Sequence, residues 1–155
     1  MITSWRIVTR HRAAEAFTGE GAARFPGRWN ARGARVVYTA QSAALAALEM
    51  LVHFDNEADL QPYVLFACSF AEELVEVVDR SALPRRWKEF PAPPELHQLG
   101  NAWLIARRTA VLQVPSAIVP TESNYLLNPE HPDFARITIG EPVPFSLDMR
   151  LLRRS

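Results

Sequence analysis

The sequence predicts an α+β fold: a single domain whose mixed β-sheet core is interrupted by inserted helices. Three observations lead there. Short β-branched or alternating runs recur along the chain, and two stretches of high helix propensity lie between them. The 155 residues, 48% of them hydrophobic, suffice for one ordinary core and fall short of two. Residues 1–155 are therefore expected to form one unit, with no internal repeat or low-complexity linker dividing them.

In chain order, Ser4–Val8 alternates and is rich in β-formers, which predicts a first strand. Residues 10–33 form a polar, glycine-containing segment, and Arg35–Thr39 a second strand. Ser42 is placed to cap AALAALEMLVHF, an Ala/Leu stretch expected to run as a helix to about His53. Tyr63–Phe70 and Leu74–Asp79 read as further strands. In the proline-rich PRRWKEFPAPPE, Pro94 is positioned to open a helix from Glu95 to about Arg108. AVLQVPSAIVP follows, broken by Pro115, then the turn-rich TESNYLLNPEHPDF, a strand in ARITIG and a last β-like run near DMRLL.

Charge and cysteine usage exclude several classes of function. Lys+Arg and Asp+Glu both number 17, so no global field draws the chain to nucleic acid or an anionic membrane, and any basic site must be local. Cys68 is the one cysteine, which excludes an internal disulfide framework and fits a reducing compartment. MITSWRIVTR lacks the apolar centre of a signal peptide, and no apolar run approaches the roughly 20 residues of a membrane span. A cytoplasmic protein is expected. His11, His53, His97 and His131 lack metal-ligand spacing, and TGEGAARFPG lacks the lysine and strand-to-helix context of a phosphate loop, so neither a metal site nor a P-loop is predicted. Trp87 and Trp103 read as core or loop anchors.

Several residues invite a chemical reading. Leu45, Leu48, Glu49 and Val52 stand at i, i+3, i+4 and i+7, which places Glu49 on the apolar stripe of its helix. It either reaches water at the stripe's edge or stands as a carboxylate at the wall of a cleft, paired with arginine or a substrate hydroxyl. Arg28, between Gly27 and Trp29, suits bidentate grip of a phosphate where glycine lets backbone approach a ligand; taken alone, GRWN is by default a surface turn with an aromatic plug. Arg6 either points outward by strand alternation or serves a ligand. Tyr38 is by default a half-buried core tyrosine, and Ser116 a small residue at a bulge with no G-x-S-x-G around it.

Taken in order, WRI at Arg6, GRWN at Arg28, VVYTA at Tyr38, LAALEMLVH at Glu49, VPSAIVP at Ser116 and NYLLNPEHPDF from Asn124 resemble the RES-domain family, from Trp5 to about Ile139. The resemblance implies a fold similar to that of ADP-ribosyltransferases and a toxin of a type II toxin–antitoxin pair. It implies NAD as substrate, cleaved at the nicotinamide–ribose bond by a glycohydrolase or phosphorylase. Two alternatives stand beside it: ADP-ribosyl transfer to a cellular protein, and a non-catalytic nucleotide-binding module. By this likeness Arg6 and Arg28 serve the phosphates and ribose region, Tyr38 stacks on nicotinamide, and Glu49 faces the ribose. Ser116 orients Glu49 or the ribose, and Asn124 lines the site. No metal is implied. The implied partner is an Xre-like helix-turn-helix antitoxin that blocks the active site and binds DNA for both, within a higher-order complex. Water, phosphate and a protein side chain all stay open as acceptor.

Overall fold

A computed structural model describes residues 1–54 and 61–152. Its elements are β1 (Ile2–Thr9), a 3-10 turn (Arg10–Glu15), α1 (Glu20–Arg24), β2 (Val37–Ala40), α2 (Ala43–Leu51), β3 (Tyr63–Phe70) and β4 (Val75–Val77). They continue with α3 (Pro94–Ala106), β5 (Val111–Pro115), β6 (Ser123–Leu127), β7 (Thr138–Ile139), β8 (Val143–Phe145) and a closing 3-10 turn, Met149–Leu152. The α+β expectation holds. Among the described residues the strands form one sheet in the order β4-β5-β6-β2-β1-β3-β7, with β8 also on β3. Only β4 and β5 run parallel.

Period-two alternation splits the core into two layers. Val111, Tyr125, Leu127, Cys68 and Phe70 pack on one face of the sheet. Leu112, Val114 and Leu126 pack on the other, with Leu96 and Trp103 of α3 and with Trp29. α3 starts at Pro94 as the fixed proline φ favours, and it ends where Arg107 turns left-handed at φ 53°. Its close seat depends on Gly100, because a Cβ there would stand 1.7 Å from the Trp29 carbonyl oxygen. No helix of the described residues is long and apolar enough to cross a membrane.

Two sequence expectations need correction. NYLL lies in β6, an inner strand between β2 and β5, rather than in a turn-rich segment. Buried on both faces, β6 shows no polar alternation, and the asparagines and proline around it read as turn formers. The DMRLL run is a 3-10 turn whose Arg150 and Asp148 pair locally. The polar segment 10–33 holds the first 3-10 turn and α1.

The sheet parts beside its middle. β1 pairs with β3 along its whole length, yet with β2 it registers only at Trp5 and Ala40. Beyond that pair the two strands diverge, and a cleft opens there.

Candidate active site

The cleft encloses about 1020 Å³ and is walled by β1, β2, α2, the 25–29 turn and the 88–92 strap. Arg6 holds its floor across the split. Its Nε–H donates to the Ala16 carbonyl (2.8 Å) and its Nη1–H to the Tyr38 carbonyl (2.9 Å), replacing ladder bonds that the diverging strands do not make. Burial draws the guanidinium pKa down to about 10, so Arg6 does not point outward. Nε and Nη1 serve the scaffold, Nη2 has no hydrogen bond among the described residues, and the residue lines the cleft.

Tyr38 stands beneath the GRWN turn. Its hydroxyl donates to Asn30 Oδ1 (2.6 Å) and accepts from the Trp29 main-chain N–H (3.1 Å). Burial raises its pKa well above the ordinary tyrosine value, which favours the protonated hydroxyl, and the residue lines the cleft. Gly27 is required by this contact rather than by a ligand: a Cβ there would come within 2.7 Å of the Tyr38 hydroxyl.

Asn30 is the residue that sequence reasoning missed. It is wholly buried; Oδ1 also accepts from Gly27 N–H (2.9 Å), and Nδ2 donates to the carbonyls of Ala22, Ala31 and Ala34. A buried asparagine with every group satisfied fixes a turn as few side chains can, and its place after GRW was the available signal. His97 of α3 adds a bond from Nε2 to the Gly27 carbonyl (3.1 Å); because a carbonyl only accepts, Nε2 carries the proton.

The turn so fixed aims Arg28. Its Nη1 donates to the main-chain carbonyls of Trp87 (2.9 Å) and Glu89 (2.7 Å), which leaves Nε and Nη2 without a protein partner among the described residues. Partial burial lowers the guanidinium pKa, while Glu49 and Tyr38 raise it, which places the Glu49 carboxylate within electrostatic reach.

Glu49 arrives from α2, which Ser42 caps as expected by accepting from Leu45 N–H (3.0 Å). The apolar stripe does not exist as such. Leu48 and Val52 are 40% and 60% exposed, and α2 buries Leu45 and Ala46 instead, because only one narrow side of a short helix meets the sheet. Glu49 is half-buried on the cleft wall. Its Oε1 accepts from Ser116 Oγ–H (3.0 Å) and Asn124 Nδ2–H (2.8 Å). Oε2 has no hydrogen bond among the described residues. Ser116 is fully buried, and its oxygen accepts from the N–H groups of Ile118 and Val119 (both 3.1 Å), so its one proton is committed to Glu49. That geometry is of a positioning hydroxyl, not a nucleophile.

Arg6, Arg28, Tyr38, Glu49 and Asn124 therefore line one cleft, and Ser116 stands directly behind Glu49. A mixed sheet that parts over a cleft holding both a carboxylate and a guanidinium defines a cleft protein of the α+β class, suited to a ligand with an anionic part and a part that gains positive charge. The RES domain family model matches residues 3–148, and the chain belongs to the RES-domain family. It is 37% identical to Toxin Res of Yersinia enterocolitica, over 95% of this chain and 97% of that protein. It is 38% identical to the Prs ADP-ribosylating toxin of a Sphingobium species across the full length of both. Among solved structures, the MbcT–MbcA toxin–antitoxin complex of M. tuberculosis shares the fold, with a TM-score of 0.74 at 20% identity over 94% of this chain and 84% of that one.

Proposed function

We propose that this chain is the toxin of a toxin–antitoxin pair and that its cleft cleaves NAD at the nicotinamide–ribose bond. The observation that carries the reading is Glu49: a carboxylate on the cleft wall, fixed through one oxygen by Ser116 and Asn124, with the other free of hydrogen bonds among the described residues. As the glycosidic bond breaks, nicotinamide leaves neutral and positive charge develops on the ribose ring; an immobile anion beside it lowers that barrier without reorganising. The free Nε and Nη2 donors of Arg28 take the diphosphate, Arg6 holds the floor beneath the ribose, and the Tyr38 ring is the platform for nicotinamide. Family membership and the toxin names of the relatives support the same reading.

Water or phosphate entering the cleft then captures the ribosyl cation. A second reading, transfer of ADP-ribose to a protein, is favoured by the relative named an ADP-ribosylating toxin. Both act on the NAD of the cytoplasm that makes the toxin, so an antitoxin must cover the cleft. An Xre-like helix-turn-helix partner in a higher-order complex meets that need and binds DNA for both chains. The fold neighbour, solved as a toxin–antitoxin complex, supports an antitoxin partner.

Purified protein incubated with NAD, with and without phosphate, should release nicotinamide as read by chromatography. Absence of release with transfer of labelled ADP-ribose to a cell extract would favour the second reading, and absence of both would remove the enzyme.

A further inference from the structure

We propose that Lys88 is the second cation of the cleft and that, with Arg28, it grips the diphosphate of the ligand; the inference rests on the reading of the cleft as an NAD site. Lys88 is the only lysine among the 155 residues, whose other fixed cations are all arginine. It stands on a strap pinned at both ends: Trp87 and Ala92 pack into the layer formed by Trp29, Leu96 and Trp103. The two carbonyls that hold Arg28 Nη1 belong to Trp87 and Glu89, the immediate neighbours of Lys88 in the chain. The guanidinium and the lysine backbone are thereby fixed to each other.

Between the pins, Lys88 is the strap's one charged side chain on the cleft, beside Phe90, Pro91 and Ala92. Its ammonium has no hydrogen bond or ion pair among the described residues, since Glu89 is turned to Arg86 (3.5 Å). A diphosphate carries negative charge on the oxygens of two phosphate groups, and one guanidinium fork covers one of them. A flexible four-carbon stem ending in a point charge reaches the other. The field of the cleft requires it as well. Arg6 and Arg28 are matched by Glu15 and Glu49 on the same walls, so without Lys88 the cleft has no excess of positive charge for an anion.

ADP tests this, because it carries the diphosphate and lacks the bond to be cleaved. By calorimetry, Lys88→Ala should bind ADP about ten-fold more weakly than wild type, as expected for one charge-assisted contact. Lys88→Arg should recover most of the affinity, and the difference should shrink with added salt. Arg85→Ala, which removes a cation of the same loop outside the cleft, should bind ADP as wild type does. ADP should also slow acetylation of the Lys88 amine, read by mass spectrometry. Wild-type ADP affinity in Lys88→Ala, an acetylation rate indifferent to ADP, or no binding of ADP by wild type would overturn the inference. If NAD is not cleaved while ADP binding still depends on Lys88, the catalytic reading fails and this one stands. If NAD is cleaved and Lys88→Ala is silent, only this one fails.

Discussion

Glu49→Gln separates electrostatics from scaffold at one atom. Glutamine keeps an oxygen where Ser116 Oγ–H (3.0 Å) and Asn124 Nδ2–H (2.8 Å) now donate, so the side chain stays in place and its amide occupies the position of Oε2. Shape survives and the negative charge does not. Removing one preorganised electrostatic contact to a developing charge costs on the order of 100- to 1000-fold in rate. Stability should move little. Two charge-assisted bonds become neutral ones, a loss of about 1 kcal/mol, offset in part by no longer desolvating a charge on the cleft wall. A net change within about 1 kcal/mol corresponds to a Tm shift within roughly 4 °C for a domain of this size. Nicotinamide release followed by chromatography, with a thermal melt on the same sample, measures both. Expression of the variant alone should leave growth and cellular NAD intact. Wild-type turnover in Glu49→Gln would refute the reasoning, because among the described residues no other carboxylate is held in this way by Ser116 and Asn124.

Ser116→Ala should lower kcat about ten-fold by releasing Glu49 while KM changes little, and should cost about 2 kcal/mol in denaturant titration because the N–H groups of Ile118 and Val119 lose their acceptor. Arg28→Lys should raise KM for NAD and make the 84–92 loop more susceptible to limited proteolysis, since an ammonium lacks the planar fork that lets Nη1 hold two carbonyls while Nε and Nη2 stay free. Gly100→Ala should destabilise by about 3 kcal/mol by pushing α3 away from the Trp29 carbonyl, read as a melting temperature lower by roughly 10 °C. Cys68, fully buried with its thiol pushed up to about 12, should resist thiol reagents until the chain unfolds. Because its folded pKa lies above the ordinary 9.0, the stability due to the neutral thiol is complete below pH 9 and declines as pH rises beyond it, which denaturation at pH 8 and 10 would detect.

Strands with a polar face or a clear flank were legible before any coordinates. Tyr63–Phe70 is such a strand, and the Ser42 cap with its Ala/Leu helix is a local signal of the same kind. β6 was not legible, because a strand buried on both faces carries no alternation to read. The site residues were named from the order of six motifs. Their chemistry was only half visible: the helix pattern left Glu49 either at the edge of an apolar stripe or at the wall of a cleft, and it lines the cleft, while Leu48 and Val52 are exposed.

By itself the sequence determined the α+β class, the single core, the absence of a disulfide framework and the membership of a family, since these follow from composition, propensity and motif order along the chain. Tertiary structure alone decided where the chemistry sits. Ser116 and Asn124 are 67 and 75 residues from Glu49, and the carbonyls that hold Arg28 are 59 and 61 residues away. The single pairing of β1 with β2 that opens the cleft is likewise a property of the assembled sheet. Hydrogen bonds and desolvation act over a few ångströms of space, and no local pattern in a chain encodes which distant segments folding will bring within that range.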